Sequence, residues 1–204
     1  TSFVEVSNCK NSGKLEPGAT FTTKRFRLGG VAGTNTGVNY TQCSNSGIIS
    51  YTPSTQLTNQ FYLGGLFGIL SGGGATSCIN TGDITLGKNT TTSGATTYIG
   101  GLVGSNSGNC KDSHSLCDMT IDEAYVNTKA VIGGAIGTTS TPLDNVTVFC
   151  NITAIGRSGK AGDYALHHGR RNHGRAQPPL CTLYRNPVPL LPVRHPDRHD
   201  RYSP

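Results

Sequence analysis

Cys110, His114 and Cys117 form C-x3-H-x2-C, three soft donors at a spacing that suits zinc. A closed tetrahedral zinc site takes four such ligands, and no fourth is evident nearby. One of the two cysteines is also expected to belong to a repeat column described below. No metal site is therefore assigned, and these three residues stand as the alternative. Eight acids precede residue 157: Glu5, Glu16, Asp83, Asp112, Asp118, Asp122, Glu123 and Asp144. Read by sequence, no two of them share a repeat position. Asp118, Asp122 and Glu123 come nearest to a cluster of the kind that carbohydrate-active β-helix enzymes use. The plainer reading is a set of charges that keeps a strand edge solvated. His114 is the only histidine before residue 157, and no G-x-S-x-G turn frames a nucleophile for it. No catalytic residue and no cofactor are assigned.

Basic residues offer a second kind of chemistry, confined to the end of the chain. Residues 1–156 hold 8 Lys and Arg against 8 Asp and Glu, whereas residues 157–204 hold 9 against 3. The net charge of +6 thus lies in the last 48 residues, with five of six His and seven of ten Pro. Arg170, Arg171 and Arg175 are the expected phosphate contacts if this tail binds a polyanion, nucleic acid included, and such binding falls steeply with salt. Prolines from Pro178 to Pro196 oppose regular structure through the end. Three readings stand: a basic disordered tail, a linker, or translation in a shifted frame. Unpatterned Arg, His and Pro favour the last, which the coding DNA tests.

The elements that position any site come from a repeat. Gly29-Gly30-Val31-Ala32-Gly33, Gly64-Gly65-Leu66-Phe67-Gly68, Gly100-Gly101-Leu102-Val103-Gly104 and Gly133-Gly134-Ala135-Ile136-Gly137 recur at steps of 35, 36 and 33 residues. A second motif, C-x-N-x-G, keeps phase with it: Cys9, Asn11 and Gly13; Cys43, Asn45 and Gly47; Cys78, Asn80 and Gly82. A fixed period of this size signals a stacked array. Helical repeats of similar length need two amphipathic helices per unit, and three glycines in five residues would break them. Short strands with turn clusters such as Thr34-Asn35-Thr36-Gly37 remain. The expected fold is an all-β solenoid over residues 1–156, with two or three strands per coil, followed by the irregular tail of residues 157–204.

The Gly-Gly-apolar-apolar-Gly runs resemble the GLUG motif repeat of bacterial surface and secreted proteins. Gly65-Leu66-Phe67-Gly68 and Gly101-Leu102-Val103-Gly104 match its core, while Val31 and Ala135 replace the leucine elsewhere. The resemblance covers about residues 9–153. It implies an adhesin-like or stalk segment at the cell surface or outside the cell, and carries no catalytic residue.

Stacking puts Cys9, Cys43 and Cys78 in one column, read as buried free thiols, with seven cysteines being an odd number for a disulfide framework. Asn11, Asn45 and Asn80 form a second column that can bond along the axis. Gly13, Gly47 and Gly82 are expected to supply a positive φ at the turn. Sequons at Asn39, Asn89, Asn145 and Asn151 bear on the protein only if it is a eukaryotic secreted one. No apolar run is long enough to span a membrane. The chain opens at Thr1 without a secretory apolar stretch and shows no clear end cap, so it is expected to be a processed product or a piece of a longer protein. The functional expectation is a non-catalytic extracellular or cell-surface segment for adhesion, display or spacing, with glycans or host matrix proteins as partners. The rivals are a polysaccharide lyase or hydrolase and a polyanion binder acting through the tail.

Overall fold

The computed structural model describes residues 4–18, 26–52, 60–87, 96–122, 130–154 and 181–185. It is all-β, with every paired strand parallel and the strands stacked as a β-solenoid. Each coil contributes one strand to each of five sheets. The first sheet takes Val4–Ser7, Val38–Thr41, Gly74–Thr76, Asn109–Lys111 and Leu143–Asp144. The second takes Lys10–Asn11, Ser44–Asn45, Ile79–Asn80, His114–Ser115 and Thr147–Val148. Ile49–Tyr51, Ile84–Leu86, Met119–Ile121 and Cys150–Ala154 form the third, with Leu15 bridged to Ile49. The fourth holds Phe26–Gly29, Phe61–Gly64, Thr97–Gly100 and Ala130–Gly133, and the fifth Ala32–Thr36, Phe67–Ser71, Val103–Asn106 and Ile136–Thr139.

Five strands per coil, rather than two or three, follow from what the glycine pair does. Strands of the fourth sheet end on its first glycine, and those of the fifth begin three residues later. The pair is thus a corner between two sheets rather than the middle of a strand. Strands of only two residues, such as Ile79–Asn80, are too short to show the alternation by which a strand is read from sequence.

The core runs along the axis as columns of like residues. Leu28, Leu63, Ile99 and Ile132 pair in register, as do Ile49, Ile84, Met119 and Ile152. Leu66, Leu102 and Ala135 are buried in one column with Val31, joined by backbone bonds from Val31 N–H to Leu66 O and from Leu102 N–H to Ala135 O. The residues that depart from the leucine of the motif therefore keep its apolar, inward role. Aromatic rings pack on one another where the third and fourth sheets meet: Phe26 stacks on Phe61 at 5.3 Å and on Tyr51 at 4.9 Å. Residues Cys181–Arg185, in the proline-free stretch between Pro179 and Pro187, pair in parallel with Cys150–Ala154 and extend the third sheet.

Candidate functional site

The second sheet and its flanking corners gather the polar residues of the C-x-N-x-G motif. Asn11 Nδ2 donates to Asn45 Oδ1 at 2.8 Å, and Asn45 Nδ2 donates to Asn80 Oδ1 at 2.8 Å. Each amide also closes its own turn. Gly47 N–H donates to Asn45 Oδ1 at 3.2 Å, while Asn45 Nδ2 donates to Gly47 O at 3.0 Å. Asn80 Nδ2 ends the ladder on Gly101 O at 2.8 Å, and Ser115 takes the next place, its Oγ bonding Gly134 O at 2.7 Å. Asn45, Asn80 and Ser115 are fully buried, so these bonds offset a desolvation cost of about 1–3 kcal/mol per unmet group. A donor or acceptor so committed is not available to a ligand.

The glycines of this motif do not adopt a positive φ. That conformation falls one residue before the cysteine column, at Asn8, Gln42 and Ser77 before cysteines and at Asp112 and Asn145 before Ser113 and Val146, with φ of 57°, 55°, 53°, 49° and 49° in chain order. These are side chains that tolerate the left-handed region to differing degrees, Asn and Asp best. Gly47 and Gly82 are required for a different reason: a Cβ on Gly47 would collide with the Gly13 carbonyl of the preceding coil, and one on Gly82 with that of Gly47.

Beside the Asn ladder stands the cysteine column. Cys9 is exposed, while Cys43 and Cys78 are fully buried, and all three are free thiols. The next position up is Ser113, because Ile79 pairs with His114; it is neither Cys110 nor Cys117. Cys110 instead replaces Ala75 on the inner side of the first sheet, and Cys117 stands where the coil before has Gly82. His114 pairs with Ile79 and Thr147 and lies between the buried Ser113 and Ser115, so it faces the other side of the strand. The three donors of C-x3-H-x2-C are therefore not brought together. Among the described residues no three His, Cys, Asp or Glu side chains gather as a metal site.

Burial pushes the Cys78 thiol up to about 11 and the Cys110 thiol to about 12. Cys43 and Cys117 are raised as well, again chiefly by desolvation. A thiol held protonated at neutral pH is a poor nucleophile.

The acids are less scattered than their sequence suggests. Asp83 and Asp118 occupy one repeat position, since Ile84 pairs with Met119, and Asn151 follows them. Asp118 N–H donates to Asp83 Oδ1 at 2.9 Å; Asn151 donates to Asp118 Oδ1 from its backbone N–H at 3.0 Å and from Nδ2 at 2.9 Å. Aligning Cys117 with Gly82, rather than with the cysteine column, would have revealed this pair. Asp118 and Asp122 stand at opposite ends of the strand Met119–Ile121, about 13 Å apart along an extended chain. Glu123 lies outside the described residues, as do Asn89 and the basic Arg170, Arg171 and Arg175. An ion pair joins neighbouring coils, Lys111 Nζ to Asp144 Oδ2 at 3.5 Å, with both side chains mostly exposed.

The outward columns are small and hydroxylic. Ser50, Thr85, Thr120 and Thr153 line the third sheet; Thr34, Ser105 and Thr138 share a column of the fifth with Ile69. On the fourth, Arg27, Tyr62, Tyr98 and Val131 are in register, and the two tyrosine rings stack at 5.2 Å and 11°. Extending the glycine motif two residues upstream would have exposed this aromatic column. Comparison with protein-family models, with curated proteins and with solved structures gives no match. No helix among the described residues is long and apolar enough to cross a membrane.

Proposed function

We propose that this chain is a non-catalytic repeat segment of a GLUG-like protein at the cell surface or outside the cell, serving adhesion, display or spacing. The observation that carries this reading is the outer face of the third sheet. Ser50, Thr85, Thr120 and Thr153 repeat there at the coil spacing of about 4.8 Å, flanked by the Asp83 and Asp118 carboxylates, each of which accepts a backbone N–H of the next coil on its Oδ1. A rigid face of repeated hydroxyls suits weak, multiple contacts with a glycan or matrix protein, and in-register stacking suits a spacer.

The test is a binding screen of the full chain against immobilised glycans and host matrix proteins, with substrate turnover followed in parallel. Retention without turnover supports the reading. Cleavage of a polysaccharide that is lost on Asp118→Asn would replace it with the enzyme reading. Retention only on polyanions, abolished by deleting residues 157–204, would transfer the function to the tail.

A further inference from the structure

The thiol column repeats with the precision of the fold. Cys43 Sγ lies 3.7 Å from Val6 O and 3.5 Å from Thr41 O; Cys78 Sγ lies 3.6 Å from Tyr40 O and 3.4 Å from Thr76 O. Tyr40 pairs with Val6, and Thr76 with Thr41, so the second set of contacts is the first moved by one coil. Ser113 Oγ repeats the pattern once more, on Ala75 O at 3.5 Å and Lys111 O at 2.8 Å. The matching contacts give Cys43, Cys78 and Ser113 one rotamer, so their side-chain atoms are separated by the coil spacing, about 4.8 Å; Cys9 is held to the same spacing by its backbone register. Ser44 N–H donates to Cys9 O at 2.8 Å and Ile79 N–H to Cys43 O at 3.0 Å, which locks the three cysteines in register. Cys9 and Cys78 are the cysteines near enough to the Cys43 thiol to influence its ionisation.

Magnitudes decide what such a pair can do. A disulfide wants its Cβ atoms about 3.8 Å apart, so the coils would have to close by about 1 Å against a packed core. Two collinear thiolate–metal bonds of about 2.3 Å, the length of a zinc–thiolate bond, span about 4.6 Å, close to the coil spacing of the column. Soft thiolates select soft cations, and two donors in line match the linear preference of a d10 ion. Zinc, which wants four ligands, finds only the column here.

We propose that Cys9 and Cys43 form a two-coordinate binding site for a soft, thiophilic d10 cation of the copper(I) class, entered at the exposed Cys9, with Cys78 as the next donor along the column. Binding displaces the thiol protons, so each bound cation releases protons to solvent and affinity falls as pH falls.

Silver(I) is the probe, since it shares this coordination and does not oxidise thiols under these conditions. It is titrated into the full, reduced chain in thiol-free buffer, and the alkylation rate of Cys9 is read by peptide mapping, so other thiols do not enter the measurement. One equivalent is expected to slow Cys9 alkylation at least tenfold, and zinc(II) to leave it unchanged. In Cys43→Ser the protection should vanish; serine already holds this column position at Ser113, and circular dichroism checks the fold. Protection that persists in Cys43→Ser, or is missing from the parent chain, overturns the proposal. X-ray absorption of the silver-loaded parent chain decides it without any variant: two sulfur neighbours support the site, and one sulfur with oxygen or nitrogen overturns it.

Discussion

The Asn80 side chain occupies the space that any side chain at Gly65 would need: a Cβ on Gly65 would collide with Asn80 Nδ2. That same nitrogen donates to Gly101 O at 2.8 Å, the equivalent glycine one coil on. The contact recurs between Gly30 and Asn45 and between Gly101 and Ser115. It explains why two unlike motifs keep one period. The second glycine of the pair is the socket, and the Asn of C-x-N-x-G is what fills it.

Gly65→Ala should therefore cost about 3 kcal/mol or more, measured by urea unfolding. Removing the amide as well, in Gly65→Ala with Asn80→Ala, should not restore stability, because the Gly101 carbonyl stands in the same space.

Asn80→Ala alone takes the side-chain donor from Gly82 O and Gly101 O, and removes one of two partners from Asn45 Nδ2, which keeps Gly47 O, and from Gly82 N–H, which keeps Asn45 O. At about 1–3 kcal/mol per buried unmet group, a loss of about 3–5 kcal/mol is expected after partial relaxation. Asn80→Ser should lose less, since Ser115 serves the next coil in that place. Equal losses for the two variants would contradict the ladder.

Tyr51 presents the opposite case. Its ring is fully buried against Phe26 and Phe61, yet its hydroxyl has no hydrogen-bond partner among the described residues. Tyr51→Phe should leave stability unchanged or raise it by about 1 kcal/mol, with an unchanged denaturant slope.

Alkaline pH should unfold the solenoid before acid does so through these groups. Cys78 and Cys110 are shifted from 9.0 to about 11 and about 12, and burial raises Cys43, Cys117, Tyr40 and Tyr51 too. The folded state holds these protons more tightly than the unfolded one. Their contribution is complete below pH 9 and is lost as pH climbs from 9 through about 11–12. Each ionising group can add up to about 1.4 kcal/mol per pH unit to the slope. Reduced-protein melts at pH 7, 9 and 10.5 check this, and Cys78→Ser should shallow the fall.

At the left-handed corner, Gln42 is the residue least suited to a φ of 55°. Gln42→Asn should stabilise the chain by about 0.5 kcal/mol, read from the midpoint of thermal unfolding.

The period was legible because glycine recurs where a Cβ would collide with a neighbouring coil, and because cysteine and asparagine recur beside it through three coils before serine takes both places. The five-strand section was not, because corners made of one or two residues leave strands too short for alternation. Gly13, Gly47 and Gly82 suggested a positive φ, whereas close approach of carbonyls between coils is what excludes a side chain at Gly47 and Gly82. Ser113 was hidden in its column because hydroxyl and thiol do the same job there. Asp83 and Asp118 seemed unrelated for a linked reason: Cys110 and Cys117 drew the alignment of that coil away from its true register.

The stacking register itself can be read residue by residue from scalar couplings across hydrogen bonds in an NMR spectrum of the labelled chain. Correlations are predicted from Ser44 N to the Cys9 carbonyl, Ile79 N to Cys43, His114 N to Cys78 and Gly65 N to Gly100. Partners that lie nearby in sequence, as in hairpins or helices, or long-range partners shifted off these pairs, would contradict the solenoid and everything argued from its columns.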